Sequence, residues 1–473
     1  MSALARSLAM PAAGARAVRS RTELLLEGPV LSTLLRLAAP NVIVMLLQAV
    51  VSTLDAVFVG WLGADALAGV SLVFPLVMLM QTMSAGGMGG GVASAIARAL
   101  GGGRRADAHA LAAHALAIAL GMAALFTGTA LFAGPALYHA MGGRGAALDA
   151  ALLYSHVIFG GALAYWLYNT LGAVVRGTGN MALPAAVMVG NGVVYLLLSP
   201  ALISGWGPLP RLGVAGAAVA SVTAFALGSA VLLAYLISGR SLVTLSLPGF
   251  RPQWALFGEI LRVGAPGSLN TVLTNLTIVL ATALVGPFGA SALAGYGMGA
   301  RLEYLQIPLV FGLGAALVTM VGTNVGAGNL ARAERVAWVG AGLAAVVTGG
   351  VGLFGALVPG AWLGLFSASP DVLVTGVAYL RIVGPMYGFF GLGLALYFAS
   401  QGAGRLVWPL VAGFARLAIA GGGGWLATHW LGGELPGLFT AMAIALFVFG
   451  CGNALAVRLG AWRGRREVRR TLS

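Results

Sequence analysis

The sequence contains no lysine, a single cysteine and few acidic residues, and these shortages exclude several classes of protein. The lone Cys451 cannot form a disulfide within the chain, which excludes a disulfide-stabilised scaffold. Only 8% of the 473 residues are charged, against about 25% in soluble domains. With 59% hydrophobic residues and a mean hydropathy of +0.96, the chain is predicted to be an integral membrane protein.

Motifs of enzymes are also missing. The sequence has neither an HExxH pair nor a GxSxG motif, and no two acids stand at helical spacing within an apolar run. The glycine-rich stretch at residues 87–91 lies inside an apolar run, where small residues allow close helix packing and do not form a phosphate loop. We therefore expect no catalytic residues, no cofactor and no ATP site, so that energy must come from an ion gradient or from the gradient of the substrate itself.

What the sequence has is a series of long apolar runs separated by short loops. They predict an all-α membrane protein with about twelve transmembrane helices, of which the fourth is Ala150–Val175, the sixth Val214–Ile237 and the ninth Val336–Leu365. The net charge of +14 rests on arginine alone, and these arginines lie mostly in alternate loops and at the two ends. This distribution follows the positive-inside rule with both termini in the cytoplasm, and it explains the charge without a nucleic-acid partner. We predict a bacterial inner-membrane location.

The second half of the sequence repeats the first. GWLGADALAG at residues 60–69 matches GPFGASALAG at residues 286–295, and RGTGNMALP at residues 176–184 matches QGAGRLVWP at residues 401–409, with offsets of 226 and 225. We predict two pseudo-symmetric six-helix lobes around a central cavity. The predicted segments are a cytoplasmic N-terminal tail (1–30), an N-lobe (31–239), a cytoplasmic interlobe loop (240–255), a C-lobe (256–460) and an arginine-rich cytoplasmic C-terminal tail (461–473).

One acid lies inside the first apolar run. Asp55 shares a helical face with Asn41, Gln48 and Ser52, and no basic residue of the same helix can pair with it. An ionised Asp near the centre of a membrane helix costs about 2.5 to 3.5 kcal/mol. A polar seam between helices would need no such cost, so we interpret Asp55 as a group that binds a proton or a cation.

These features resemble the MATE family of multidrug and toxic compound extrusion transporters. The resemblance rests on LAAP followed by an acid in the first helix, on VGWLGADALAG, on GTNVGAGN, and on RGTGN and QGAGR after the fourth and tenth helices. It covers the chain from about Gly28 to Gly460 and looks closer to the DinF-like branch. It implies export of amphipathic, often cationic, compounds in exchange for H⁺ or Na⁺.

The resemblance also implies an ion-coupling site. In the DinF-like branch the first-helix acid, here Asp55, works with an Asn of the fourth helix and an Asn and an Asp of the fifth. Asn169 fits the fourth-helix position, but Tyr195 and Ser199 occupy those of the fifth, with Asn191 one turn earlier as a substitute. Na⁺ needs several oxygen ligands, whereas one buried carboxyl group carries a proton by itself. We therefore favour H⁺, and Asp55 would be a metal ligand only with Na⁺.

The central cavity is expected to bind small organic substrates that are amphipathic or cationic. We assign to its wall Gln48, Ser52, Tyr165, Tyr195, Asn275 and Glu303. Two interpretations of Glu303 stay open, namely an acid neutralised by Arg301, Arg381 or Arg416, and an acid that attracts cationic substrate. The other partner is membrane lipid, and we expect a monomer. The rival function is a flippase for a lipid-linked oligosaccharide or peptidoglycan precursor, which would require a cluster of arginines in the cavity.

Overall fold

The computed structural model describes residues 21–245, 250–430, 432 and 434–463. Within these ranges the side chains of five residues of the first helix are outside the description: Leu46, Ala49, Ser52, Thr53 and Ala56. Most of the two predicted tails (residues 1–20 and 464–473) and residues 246–249 of the interlobe loop also lie outside it.

The described chain folds into twelve helical spans and contains no strand. In order they are α1 (Val30–Gly60), α2 (Ala64–Gly101), α3 (Arg105–Ala140), α4 (Gly145–Gly160 and Ala162–Gly177), α5 (Ala182–Ser204), α6 (Val214–Ile237), α7 (Trp254–Phe288), α8 (Ala290–Gly326), α9 (Leu330–Leu357), α10 (Pro370–Ala403), α11 (Val407–His429) and α12 (Glu434–Arg458). Ten of them are long and apolar enough to cross a membrane as single helices, and the bent α4 is an eleventh. α1 has 31 residues, where a span needs about 20. The prediction of an all-α membrane protein is confirmed.

Two spans differ from the continuous helices expected from the sequence. α4 bends by 44° between Gly160 and Ala162. The ninth helix ends at Leu357 and not at Leu365, and a short helix, Pro359–Leu363, follows it. Proline has no backbone N–H and disfavours the helical conformation of the residue before it, so Pro359 ends the helix. The apolar composition, on which the sequence prediction rests, continues through both breaks.

Glycine allows the two halves of the chain to pack closely. A Cβ on Gly101, at the end of α2, would lie 2.0 Å from the backbone oxygen of Thr323 in α8. A Cβ on Gly326 would lie 2.1 Å from the oxygen of Arg98, and one on Gly91 2.7 Å from the nitrogen of Gly264. Backbones therefore meet where any larger residue would separate them.

Hydrogen bonds join the two lobes at the end of the molecule where α2 and α8 terminate. The Ser94 hydroxyl donates to the backbone oxygen of Gln401 at 2.6 Å, and the Gln401 side chain donates to the oxygen of Gly86 at 3.0 Å. The Thr319 hydroxyl donates to the oxygen of Arg176 at 3.0 Å. All interlobe hydrogen bonds between described residues lie toward this end, which adjoins the arginine-bearing loops. The lobes are thus closed on the predicted cytoplasmic side.

The described parts of the interlobe loop are held against α3. Two histidines of that helix accept hydrogen bonds from the loop backbone, His109 from the N–H of Thr244 and His114 from the N–H of Gln253, each at 2.9 Å. The second ring nitrogen of His114 lies 2.8 Å from the oxygen of Ala110 in its own helix. Both histidines therefore fix the loop that connects α6 to α7.

Candidate ion-coupling and substrate sites

Asp55 lies near the end of α1 and faces α5. The hydroxyl of Tyr195 donates a hydrogen bond to Asp55 Oδ1. Ser199 is fully buried one turn further along α5. No arginine or histidine among the described residues lies within 4.0 Å of the Asp55 carboxylate. The acid is therefore partly buried in the N-lobe with a neutral donor as its partner.

Tyr165 of α4 is buried within the N-lobe. Its hydroxyl lies 2.5 Å from the hydroxyl of Ser221, and its ring stacks on Phe225 with 4.1 Å between the ring centres. This packing fixes Tyr165 to α6.

The two asparagines predicted to work with Asp55 make hydrogen bonds elsewhere. Asn169 donates to the Ser84 hydroxyl at 2.9 Å and to the oxygen of Tyr165 at 3.1 Å. Asn191 packs against Gly228 of α6, and with its amide nitrogen turned toward that helix it donates to the oxygen of Ala224 at 3.0 Å. Three residues were predicted to complete the ion-coupling site around Asp55, namely Asn169, Asn191 and Ser199. None of the three forms a hydrogen bond with Asp55. Their role in coupling stays a prediction.

A separate cavity of about 160 Å³ lies between the lobes. α1, α2, α4, α5 and α6 of the N-lobe line one side, and α8 and α10 of the C-lobe line the other. Its polar wall consists of five amide side chains and one cation: Asn41, Gln48, Gln81, Asn169, Gln401 and Arg176. Aromatic and thioether groups form much of the rest: Tyr168, Phe225, Phe311, Phe398, Met45 and Met188. The wall thus combines side chains that donate and accept hydrogen bonds with aromatic surface.

Of the residues predicted for the substrate cavity, one lies in the wall described above and four lie outside it, and their part in substrate binding stays a prediction. Gln48 lines the cavity, but Tyr165, Tyr195, Asn275 and Glu303 do not. Tyr195 is turned toward Asp55, and Asn275 donates at 2.9 Å to the oxygen of Thr271, one turn back in its own helix. The Ser52 side chain lies outside the described residues. A helical periodicity places residues on one face of a helix but does not say how far along the helix the cavity extends.

Glu303 lies in the interior of the C-lobe. Its carboxylate is 3.5 Å from Arg416 of α11 and accepts a hydrogen bond of 2.9 Å from the Tyr379 hydroxyl. Arg416 also lies over the rings of Phe390 and Phe449, at 5.2 and 5.5 Å from their centres. Of the two interpretations left open for Glu303, this geometry supports the neutralised acid, and it selects Arg416 among the three arginines considered.

Arg176 and Gln401 line the cavity but were not predicted to do so. The two residues begin the matched motifs RGTGN and QGAGR, which are 225 residues apart. Residues at equivalent positions of a two-fold repeat approach the axis from opposite sides. The repeat was therefore the signal that could have placed both residues in the interlobe cavity.

Comparison with known proteins gives consistent matches along the chain. The MatE family model matches residues 40–201 and 266–421, two stretches that begin 226 residues apart. A FAD transporter of Shewanella oneidensis is 26% identical over 84% of this chain and 87% of that protein. A probable multidrug resistance protein NorM of Thermotoga maritima is 28% identical over 82% of this chain and 84% of that protein. The solved structure of a MATE protein in complex with MaD3S superimposes with a TM-score of 0.85 at 26% identity, and covers 93% of this chain and 98% of that one.

Proposed function

Because the chain belongs to the MatE family, whose members are transporters and not enzymes, we propose that it is a secondary antiporter of the bacterial inner membrane. It exports small amphipathic organic compounds in exchange for inward movement of H⁺. The exchange proceeds by alternating access of the interlobe cavity to the two sides of the membrane, with Asp55 as the ion-coupling carboxylate and both termini in the cytoplasm.

The observation that carries this proposal is the isolation of Asp55 from any cation. Among the described residues its hydrogen bond comes from the neutral Tyr195, and no basic side chain forms an ion pair with it. In a membrane interior an unpaired carboxylate is costly, and uptake of a proton removes the charge. An acid in this setting alternates between a protonated and an ionised form when its access to water changes, which is the property that proton coupling needs.

Na⁺ is the second candidate for the coupling ion. A hard cation requires several oxygen ligands around one point. Asn169 and Asn191 form their hydrogen bonds with Ser84 and Ala224, so that their amides would have to turn before they joined Asp55 in a metal site. The proton requires no such rearrangement, and we therefore favour it.

The substrate class follows from the cavity and from the relatives. One similar protein is named a FAD transporter and another a probable multidrug resistance protein. Both names are compatible with an aromatic compound of moderate size in a cavity lined by Tyr168, Phe225, Phe311 and Phe398. The flippase is less well supported, because the described cavity wall contains one arginine, Arg176, whereas Arg416 is paired with Glu303 and Arg301 lies over the ring of Phe366.

Alternating access is supported by the position of the interlobe contacts. The lobes are joined near Ser94, Thr319 and Gln401, toward the arginine-bearing end of the molecule. With the N-terminus in the cytoplasm, the end at which the lobes are joined faces inward. The inward-open form would require these hydrogen bonds to break and the opposite ends of the lobes to approach.

The test is uptake of a fluorescent dye into inside-out vesicles with a pH gradient and a Na⁺ gradient imposed separately. Carboxyfluorescein, an anion, and tetramethylrhodamine methyl ester, a cation, share the same type of ring system and cover both substrate charges. We expect accumulation with the pH gradient, its loss in Asp55→Asn, and its retention in the matched control Asp65→Asn, an exposed acid at the start of α2. Uphill accumulation by Asp55→Asn at the wild-type rate would refute the role of Asp55, and accumulation with Na⁺ alone would refute proton coupling.

A further inference from the structure

The described wall of the interlobe cavity carries one charged side chain, and the charge is positive. Arg176 lies in its wall beside amides and aromatic rings, and no Asp or Glu is among the lining residues. Asp55 stands outside this wall, and Glu303 is paired inside the C-lobe. A cavity that selected cations would be expected to present a carboxylate to its substrate, and the described wall does not.

The guanidinium group of Arg176 is directed back along α4. A Cβ on Gly172 would lie 3.2 Å from Arg176 Nη1, so the glycine one turn earlier provides the space that the guanidinium occupies. The backbone of Arg176 is held to the C-lobe by the hydroxyl of Thr319. The side chain is thus placed at the junction of the two lobes, and its position does not depend on a surface loop.

Arg176 lacks a counter-ion within the described part of the chain. No carboxylate lies within 4.0 Å of its guanidinium nitrogens, and these nitrogens donate no hydrogen bond to the protein. A guanidinium has five N–H donors in a planar arrangement that matches a carboxylate or a phosphate. A cation removed from bulk water is costly unless an anion or a set of acceptors compensates it. Arg176 is half-buried, so a water molecule or an anion that enters the cavity supplies this compensation.

One amide atom on each side of the cavity lacks a partner in the described structure, although the amide nitrogen of Gln401 donates to the oxygen of Gly86. Asn41 Nδ2 is buried without an acceptor, and Gln401 Oε1 is buried without a donor, among the described residues. Asn41 belongs to α1 and Gln401 to α10, on opposite sides of the cavity. Neither atom is exposed to the cavity, so the two amides do not define polar groups of a ligand, and an aromatic ring is the part that the wall can hold. Phe225, Phe311 and Phe398 provide the apolar surface on which such a ring would pack.

We infer that the cavity takes amphipathic aromatic anions, with a carboxylate or phosphate group bound by Arg176 and the ring held among the phenylalanines. This inference rests on the proposed transport function and names its substrate class. It departs from the cationic substrates that the family resemblance implies, because the described wall contains neither Asp55 nor Glu303.

Equilibrium binding of the two dyes to the purified full-length protein tests this inference without any ion gradient. Fluorescence anisotropy is measured with carboxyfluorescein and with tetramethylrhodamine methyl ester, for wild type, Arg176→Gln, Arg176→Lys and the control Arg240→Gln, which removes an exposed charge. We expect the wild type to bind the anion more tightly than the cation. Arg176→Gln should raise the Kd for carboxyfluorescein about tenfold, or about 1.4 kcal/mol, and should not weaken binding of the cation.

The other two variants separate charge from packing. Arg176→Lys should retain at least part of the affinity for the anion, because it keeps the positive charge, and Arg240→Gln should change neither Kd. Size-exclusion chromatography of each variant excludes loss of folding as the cause of weaker binding. The inference is overturned if the wild type prefers the cation, or if Arg176→Gln changes the Kd of both dyes equally.

Binding and transport distinguish this inference from the proposed function. If Asp55→Asn abolishes pH-driven uptake while Arg176→Gln leaves anion binding unchanged, the antiport proposal stands and the substrate class is wrong. If Arg176→Gln weakens anion binding but Asp55→Asn still accumulates dye uphill, the substrate class stands and the coupling role of Asp55 is wrong.

Discussion

The buried ion pair between Glu303 and Arg416 offers a quantitative test of the packing of the C-lobe. The two charged atoms are 3.5 Å apart, and the side chains are only 9% and 10% exposed. Removing one partner leaves the other charge buried and unpaired, which costs about 3 to 5 kcal/mol. We therefore expect Glu303→Gln and Arg416→Gln each to lower the free energy of unfolding by about this amount.

The two single variants should not be equal. Arg416 also lies over the rings of Phe390 and Phe449, and each cation–π contact contributes about 0.5 to 2 kcal/mol. Glu303 accepts in addition the hydrogen bond of Tyr379, which a Gln side chain can still accept. Arg416→Gln should therefore be the more destabilising change.

The double variant gives the decisive value. With both charges removed no unpaired ion is left, so the double variant should be more stable than the sum of the two single changes predicts, by about 2 kcal/mol or more. Unfolding by dodecyl sulfate in mixed micelles, followed by circular dichroism, measures all four proteins. Additivity of the two changes within about 0.5 kcal/mol would refute the reasoning. Dye uptake per folded molecule should be retained in Glu303→Gln, and its loss would support the alternative interpretation of Glu303 as a transport acid.

Two further changes test the Asp55 contact and the closed end of the lobes. Tyr195→Phe removes the donor to Asp55, and a hydrogen bond to a charged group is worth about 1.5 to 3 kcal/mol. We therefore expect pH-driven dye uptake to fall about tenfold or more, while the Kd for the dye stays unchanged. Unaltered uptake would exclude Tyr195 from coupling. Gly101→Ala places a methyl group 2.0 Å from the oxygen of Thr323 and should lower the unfolding free energy by about 1 to 3 kcal/mol. In the matched Gly121→Ala the new methyl group has no atom within 4 Å, so the unfolding free energy should stay unchanged or rise. Equal effects of the two variants would contradict the proposed close packing of the lobes.

The sequence was informative wherever composition and repetition determine the structure. Hydropathy placed the spans, and the sixth, Val214–Ile237, agrees with the helix at both ends, because apolar length in a membrane is set by the thickness of the hydrocarbon layer. Breaks inside the spans were not predictable in this way. The π-helical segment Met83–Met88 depends on contacts with other helices, since Gly87 packs against Ser268 of the other lobe and Ser84 accepts from Asn169.

The candidate site was only partly accessible from the sequence, because helical spacing says nothing about which helix a face meets. The stripe from Asn41 through Gln48 to Asp55 lies on one face of α1, as its spacing indicates. Its first two members line the interlobe cavity, and its last faces Tyr195 of α5. The family resemblance suggested asparagines as partners of the acid, but this chain has a tyrosine whose length allows its hydroxyl to reach the carboxylate.

The separation of Asp55 from the cavity has a consequence for how the two sites communicate. Asp55 lies seven positions after Gln48 along α1, a distance of about 10 Å, so the substrate and the proposed coupling ion do not need to share ligands. A ligand shifts a conformational equilibrium only by the difference in its affinity for the two states. α1 contributes Asn41 and Gln48 to the cavity and Asp55 to the contact with α5, so it is the element through which both events act. Protonation of Asp55 changes the hydrogen bond that ties α1 to Tyr195, while an anion on Arg176 changes the charge at the interlobe junction. If both changes bias the position of α1 relative to α4 and α5, a proton and an anionic substrate compete for the same conformational equilibrium without competing for the same atoms.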